Sequence, residues 1–173
     1  MNAMMAEFIK LNLDNRKFYH IHAAGMLSGI SEMKANLKRI GVTGDLSPDT
    51  EIREYIDDMH SVMAEADIVL CRAGGSTVAE LTAMGKPAVL IPSPYVSNNE
   101  QEKNAEQLRN AGGAVMLEEK GCTGESLFDT VTEILGDKDK LKRMAEAQER
   151  LGAPKAAEEI AEIVLSLTGF TIN

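Results

Sequence analysis

Three short apolar runs, DIVLC (67–71), PAVLIP (87–92) and GAVMLE (113–118), recur with helical stretches between them. Continuous apolar runs of this length are the mark of strands buried on both faces, and such strands belong to parallel sheets covered by helices. The segments between them fit that frame. STVAELTAMG (76–85) and EKNAEQLRNAG (102–112) are helices closed by glycine. Upstream, Met4, Met5, Phe8, Ile9 and Leu11 fall near helical spacing in a first helix reaching to about Leu13. KFYHIHAA (17–24) is a short strand, SEMKANLKRIG (31–41) an amphipathic helix, EIREYI (51–56) a strand and DDMHSVMAEA (57–66) a helix with an aspartate cap. From Thr123 the pattern is helical, over 124–135, 137–150 and 154–167, the last following Pro154. This alternation predicts an α/β fold, a Rossmann-like doubly wound parallel sheet with helices on both faces, in one domain over 1–173.

Composition narrows the partners. The chain carries 18 basic and 27 acidic residues, a formal net charge of -9, which argues against nucleic acid and against an anionic membrane surface as the main partner. A small anion is compatible with that charge, because backbone dipoles at a helix start hold anions locally. Cys71 and Cys122 have neither metal-site spacing nor the density of a disulfide framework, and read as reduced thiols of a cytoplasmic protein. No apolar run approaches the roughly 18 residues of a membrane span. The opening segment lacks the charged n-region of a signal peptide.

In doubly wound folds, ligands sit where strands end and loops lead into helices. CRAGGSTVAE (71–80) occupies such a place. The first turn of a helix offers unpaired N–H groups and a partial positive charge. Gly74 and Gly75 leave that backbone uncovered, Ser76 and Thr77 supply hydroxyls, and Arg72 supplies a permanent cation suited to phosphate oxygens. Together they would hold a diphosphate without a metal. Thr77 and Glu80 also fit a capping box, which would make the stretch purely structural. A second polar cluster, NNEQEKNAEQ (98–107), follows the next apolar run and so belongs at the same sheet edge. Gln101 and Asn104 share a helix face there, and amides both donate to and accept from sugar hydroxyls. Asp57 and Asp58 read as helix-capping residues, His20 and His22 as packed strand residues, and His60 as a surface residue.

The stretches YIDDM, ADIVLCRAGGSTVAELTAMGKPAVLIPSPY and NNEQEKNAEQLRNAGGA resemble the C-terminal half of the MurG family, glycosyltransferases that add N-acetylglucosamine to a lipid-linked muramyl acceptor in peptidoglycan synthesis. The resemblance is specific from about Tyr55 to Ala114 and looser over most of the remaining chain. It implies the GT-B architecture of two Rossmann-like domains, with UDP-GlcNAc bound by the C-terminal one. It implies that Ile56 meets uracil through its backbone and that Glu80 holds the ribose hydroxyls. By the same resemblance, Gly75, Ser76 and Thr77 lie against phosphate and sugar with Arg72 nearby, while Gln101 and Asn104 contact the GlcNAc hydroxyls. The reaction inverts at the anomeric carbon and uses no metal or other cofactor. The full-length family member is peripheral on the cytoplasmic face of the plasma membrane.

The chain departs from the family in lacking the N-terminal acceptor domain, and the first strand and glycine-rich loop of this domain would lie just before Met1. The uncapped opening helix fits that expectation. No catalytic residue is expected within these residues, and the acceptor half would come from the missing domain or from a membrane-associated partner chain. Two other readings stand beside this one: a soluble donor-binding subunit of a two-chain transferase, and an α/β interaction domain with no ligand. A nucleotide-sugar 2-epimerase shares the two-domain fold, but the acidic and histidine residues its chemistry calls for have no evident place here.

Overall fold

The computed structural model describes residues 1–153 and 155–168. Its elements are α1 (Asn2–Asn15), β1 (His20–Ala23), α2 (Gly29–Arg39), β2 (Thr50–Arg53), α3 (Met59–Glu65), β3 (Val69–Cys71), α4 (Gly75–Ala83), β4 (Ala88–Leu90), α5 (Glu100–Ala111), β5 (Ala114–Met116), α6 (Gly124–Gly136), α7 (Lys138–Leu151) and α8 (Ala156–Thr168). A 3₁₀ turn, Ser97–Asn99, leads into α5. The order agrees with the sequence pattern, with strands shorter than the apolar runs that contain them. The expected start of the last helix at Pro154 lies outside the described residues.

Every strand pair is parallel. The five strands hydrogen-bond as two groups, β1–β2 and β3–β4–β5, rather than as one ladder. That division explains a departure from expectation. The run ending at Cys71 reads as buried on both faces, yet Val69, Leu70 and Cys71 are only half-buried. Among the described residues β3 has a strand partner on one side alone, so hydrophobicity did not distinguish an edge strand from a central one.

The central strand is β4. Ala88, Val89, Leu90 and Ile91 are all 0% exposed. Alternate side chains of a strand point to opposite faces. Val89 and Ile91 accordingly enter one core with Phe8, Ile9, Leu127 and Ile134. Ala88 and Leu90 enter another with Leu81, Ala105 and Leu108. Helices α1 and α6 therefore cover one face of β4, and α4 and α5 the other. Gly124 lets α1 and α6 approach: a Cβ there would lie 2.3 Å from the Glu7 Cβ, and its N–H donates to Glu7 Oε2 at 3.0 Å. Asn12, buried, fastens the turn between α1 and β1 by donating to the Phe18 carbonyl at 2.8 Å and accepting from the N–H groups of Lys17 and Phe18.

His20 and His22 are packed side chains, as the sequence suggested. His20 lies 5.2 Å from the Phe8 ring and 6.0 Å from the His22 ring. Burial, and then the neighbouring imidazole, pushes His20 down to about 4. Burial, and then the chain's amino terminus, does the same to His22. An unfolded imidazole binds its proton below about pH 6.5, whereas the folded pair stays neutral until about 4. The stabilisation held by the neutral pair is therefore complete above pH 6.5 and is lost as the pH falls from there to 4. Urea unfolding at pH 7 and pH 5 should differ on the order of a few kcal/mol in stability. His20→Phe, which keeps the ring packing without a titrating nitrogen, should roughly halve that dependence, the remainder belonging to His22.

Candidate functional site

Parallel pairing sends the loops after β3, β4 and β5 to one edge of the sheet. The first of these loops is Arg72–Ala73–Gly74, with α4 beginning at Gly75. The cap is Gly74, in extended conformation, and no side chain caps the helix. The capping-box alternative is thereby overturned: Thr77 is inside the first turn and Glu80 in the second, and neither reaches back to the helix start. The helical ladder opens with Val78 N–H donating to the Gly74 carbonyl at 2.9 Å. The amides of Gly75, Ser76 and Thr77 ahead of it have no partner among the described residues. Nor do the side chains of Ser76, Thr77 and Glu80, which form no hydrogen bond or ion pair there. Gly75 and Glu80 are exposed.

Gly75 itself is informative. Its φ is not in the left-handed region, and a Cβ built on it would meet nothing within 4 Å. Neither backbone conformation nor packing requires glycine at this position. Its lack of a side chain matters only for what approaches the helix start from solvent.

Asn104 joins the second cluster to the first. Its Nδ2 donates to the Ala73 carbonyl at 3.1 Å, so α5 is fastened directly to the glycine turn. Gln101 accepts from the Ser93 N–H through Oε1 at 2.8 Å, which holds the loop after β4. Both backbone groups have a fixed polarity, so both amides are oriented without ambiguity. Gln101 is left with its NH₂ as a donor, and Asn104 with its Oδ1 as an acceptor. Two side chains of one helix face thus present opposite hydrogen-bonding characters to the same space, an arrangement suited to neighbouring hydroxyls. Between them and β4, Asn98 and Asn99 take left-handed φ values of 56° and 52°. Asparagine tolerates that conformation better than most residues.

Arg72 is not a free cation. Its Nη1 and Nη2 form a two-point ion pair with Glu119, both at 2.8 Å, and Nη1 also donates to the Ile91 carbonyl at 3.0 Å. One guanidinium therefore ties together the chain after β3, β4 and β5. Its hydrogen bonds, and then its charge, hold the Glu119 carboxyl below the ordinary glutamate range. Sequence reasoning missed Glu119. The edge rule that selected the loops after Cys71 and Leu90 applies equally to the loop after Met116, where an acidic pair stands.

Ile56 lies beyond the end of β2 rather than within the strand, and is 7% exposed. Its backbone N–H and carbonyl make no hydrogen bond within the described residues. No hydrogen bond connects it to the Gly75 and Asn104 group, so that group is the part of the site the structure unites. Of the two aspartates read as capping residues, Asp58 alone caps α3, accepting from the Ser61 N–H at 3.1 Å, and Asp57 makes no capping bond among the described residues; His60 is exposed, as expected. Cys71 is pushed up to about 12 by burial and then by the Glu80 carboxylate, which makes it an inert thiol and places Glu80 near the end of β3. Among the described residues no group of three or more His, Cys, Asp or Glu side chains could hold a metal. No described helix is long and apolar enough to cross a membrane. Two clefts, one around Asp67, Lys86 and Leu141 and one around Lys10, Arg16 and Asp45, contain none of the site residues and lie toward the amino ends of the strands. The site is an open edge of the domain.

The sequence matches the family model described as "Glycosyltransferase family 28 C-terminal domain" over residues 2–160. It is 42% identical over 164 residues to the UDP-N-acetylglucosamine–N-acetylmuramyl-(pentapeptide) pyrophosphoryl-undecaprenol N-acetylglucosamine transferase of Acetivibrio thermocellus, covering 95% of this chain and 43% of that protein. It is 38% identical to the transferase of the same name from Desulforamulus reducens, covering 95% and 44%. The chain thus spans less than half the length of these relatives. Among solved structures it is similar to Acinetobacter baumannii MurG, with a TM-score of 0.72 at 24% identity over 94% of this chain and 48% of that one. It is also similar to the calicheamicin glycosyltransferase CalG4, with a TM-score of 0.70 at 23% identity over 97% and 40%. At those identities the likeness is one of fold, and the fold is the Rossmann-like α/β domain of GT-B glycosyltransferases.

The opposed hydrogen bonds of the two amides predict opposed tolerances. Asn104→Asp removes the donor to the Ala73 carbonyl and sets a carboxylate against it, and should cost about 1–3 kcal/mol. Gln101→Glu keeps its acceptor on the Ser93 N–H and should leave stability within about 0.5 kcal/mol of wild type. Chemical denaturation of the two variants separates these outcomes.

Proposed function

The chain belongs to the glycosyltransferase family 28 C-terminal domain family, and on that premise we propose that it is the UDP-GlcNAc-binding part of an inverting N-acetylglucosaminyltransferase that converts lipid I to lipid II in peptidoglycan synthesis. The relatives that carry this activity by name are more than twice as long as this chain. The lipid-linked acceptor is then bound by polypeptide outside these 173 residues, and the complete enzyme works as a peripheral protein on the cytoplasmic face of the membrane.

One observation carries the reading. The hydrogen bond from Asn104 to the Ala73 carbonyl brings the hydroxyl-matching amides of α5 against a helix start whose first amides are unpartnered and whose glycine has no structural reason to be one. In this reading the amides of Gly75, Ser76 and Thr77, with the two hydroxyls, receive the diphosphate. Glu80 accepts from the ribose hydroxyls, the free backbone of Ile56 meets the uracil edge, and Gln101 and Asn104 grip the sugar. Transfer is a single displacement. The acceptor hydroxyl bonds to the anomeric carbon as the bond to UDP breaks, and that hydroxyl's proton passes to a base outside this chain. The helix amides and Arg72 stabilise the charge that collects on the departing diphosphate. No metal or organic cofactor enters this scheme.

Two variants test it. Gly75→Ala should leave the melting temperature unchanged or slightly raised, since alanine is the better helix former. It should nevertheless weaken UDP binding by about tenfold or more, because the new methyl occupies the approach to the helix start. Glu80→Ala should weaken UDP binding about 10- to 100-fold with little change in stability, the loss expected for hydrogen bonds to a charged group. It should also abolish any preference for UDP over 2′-deoxy-UDP. Calorimetric titration and a thermal melt read both variants. A Glu80→Ala protein that loses stability as much as binding would make that residue structural.

A further inference from the structure

A guanidinium has five N–H donors in one plane. In Arg72 the end-on edge, Nη1 with Nη2, is filled by the two oxygens of Glu119, and the outer Nη1 hydrogen is taken by the Ile91 carbonyl. The side-on edge, formed by Nε and the second Nη2 hydrogen, has no partner among the described residues. That edge is itself a two-pronged fork matched to a pair of phosphate oxygens. Glu119 and Ile91 fix the plane of the fork from two different loops, one after β5 and one after β4. We infer that Glu119 is a positioning residue for the diphosphate: it spends one edge of Arg72 on orientation, so that the other is presented already ordered to the anion. The inference rests on the donor-site reading above.

The physical trade is specific. Glu119 cancels much of the charge of Arg72. What the pair contributes is geometry, since an oriented fork loses less side-chain freedom on binding than a mobile one. The alternative is competition, in which Glu119 occupies Arg72 at the expense of phosphate. The two have opposite signs in a binding experiment.

The test titrates the chain with UDP and, separately, with uridine, which lacks the phosphates. Glu119→Ala should weaken UDP binding about tenfold and leave uridine binding unchanged. Glu119→Gln, which retains the volume and one acceptor oxygen, should lose about threefold and carries the comparison if the alanine variant folds poorly. In an Arg72→Ala background, Glu119→Ala should have no further effect on UDP, because the residue acts only through the arginine. Equal losses for UDP and uridine, a loss that persists without Arg72, unchanged UDP binding in both Glu119 variants, or a rise in UDP affinity would each overturn the inference while leaving the donor site standing. A wild-type chain that binds neither ligand would overturn the donor site, and this inference with it.

Discussion

The parallel pairing of β4 with β3 on one side and β5 on the other determines where everything else in the molecule goes. Because β4 has no solvent face, its alternate residues must fill two cores, and helices must lie on both sides of it. Because the three strands run the same way, their outgoing loops emerge together. The glycine turn, the asparagine-rich turn before α5 and the acidic loop after β5 are neighbours for that reason alone. Two side chains then convert nearness into fixed geometry: Asn104 joins α5 to the turn after β3, and Arg72 joins the chain beyond all three strands.

The site formed in this way uses little of its polarity internally. Polar groups at a protein surface normally find partners or face water indifferently. Here the amides of Gly75, Ser76 and Thr77, two hydroxyls and a carboxylate have no partner among the described residues. Of the groups that do have partners, Gln101 and Asn104 each commit one end of the amide and leave the other oriented, and Arg72 commits three of its five N–H donors and leaves two. On the proposed reading, a diphosphate and a sugar would meet donors and acceptors that are already oriented, and the open edge would leave room for the acceptor-binding polypeptide.

Much of this was legible in the sequence, and what was not has physical reasons. Short apolar runs separated by helical periodicity indicated the α/β alternation and the sheet edge on which the candidate site residues lie. The amides at 101 and 104 were recognisable because the same rule placed them beside the glycine turn. Burial was misjudged at Val69–Cys71, since an apolar run reads the same whether its strand is central or at an edge. The cap of α4 is Gly74, three residues before the Thr77 that a capping pair with Glu80 requires, and the Thr-x-x-Glu spacing alone does not reveal that the helix has already begun. The edge rule places Glu119 on the same sheet edge as Arg72, but their pairing is not legible, because no local pattern encodes a contact between residues 47 positions apart made across a third strand. The polarity of Gln101 and Asn104 was equally hidden, because an amide's free half is known only once its bonded half is.

The central claim is that the unpartnered first turn of α4 receives the diphosphate of UDP. Amide chemical-shift mapping of the isotope-labelled chain during a UDP titration tests it most directly. The account predicts that the largest shifts fall on the N–H groups of Gly75, Ser76 and Thr77, followed by Ile56. Shifts confined to the opposite edge, around Asp67 and Lys86 or around Asp14 and Asp45, would contradict it.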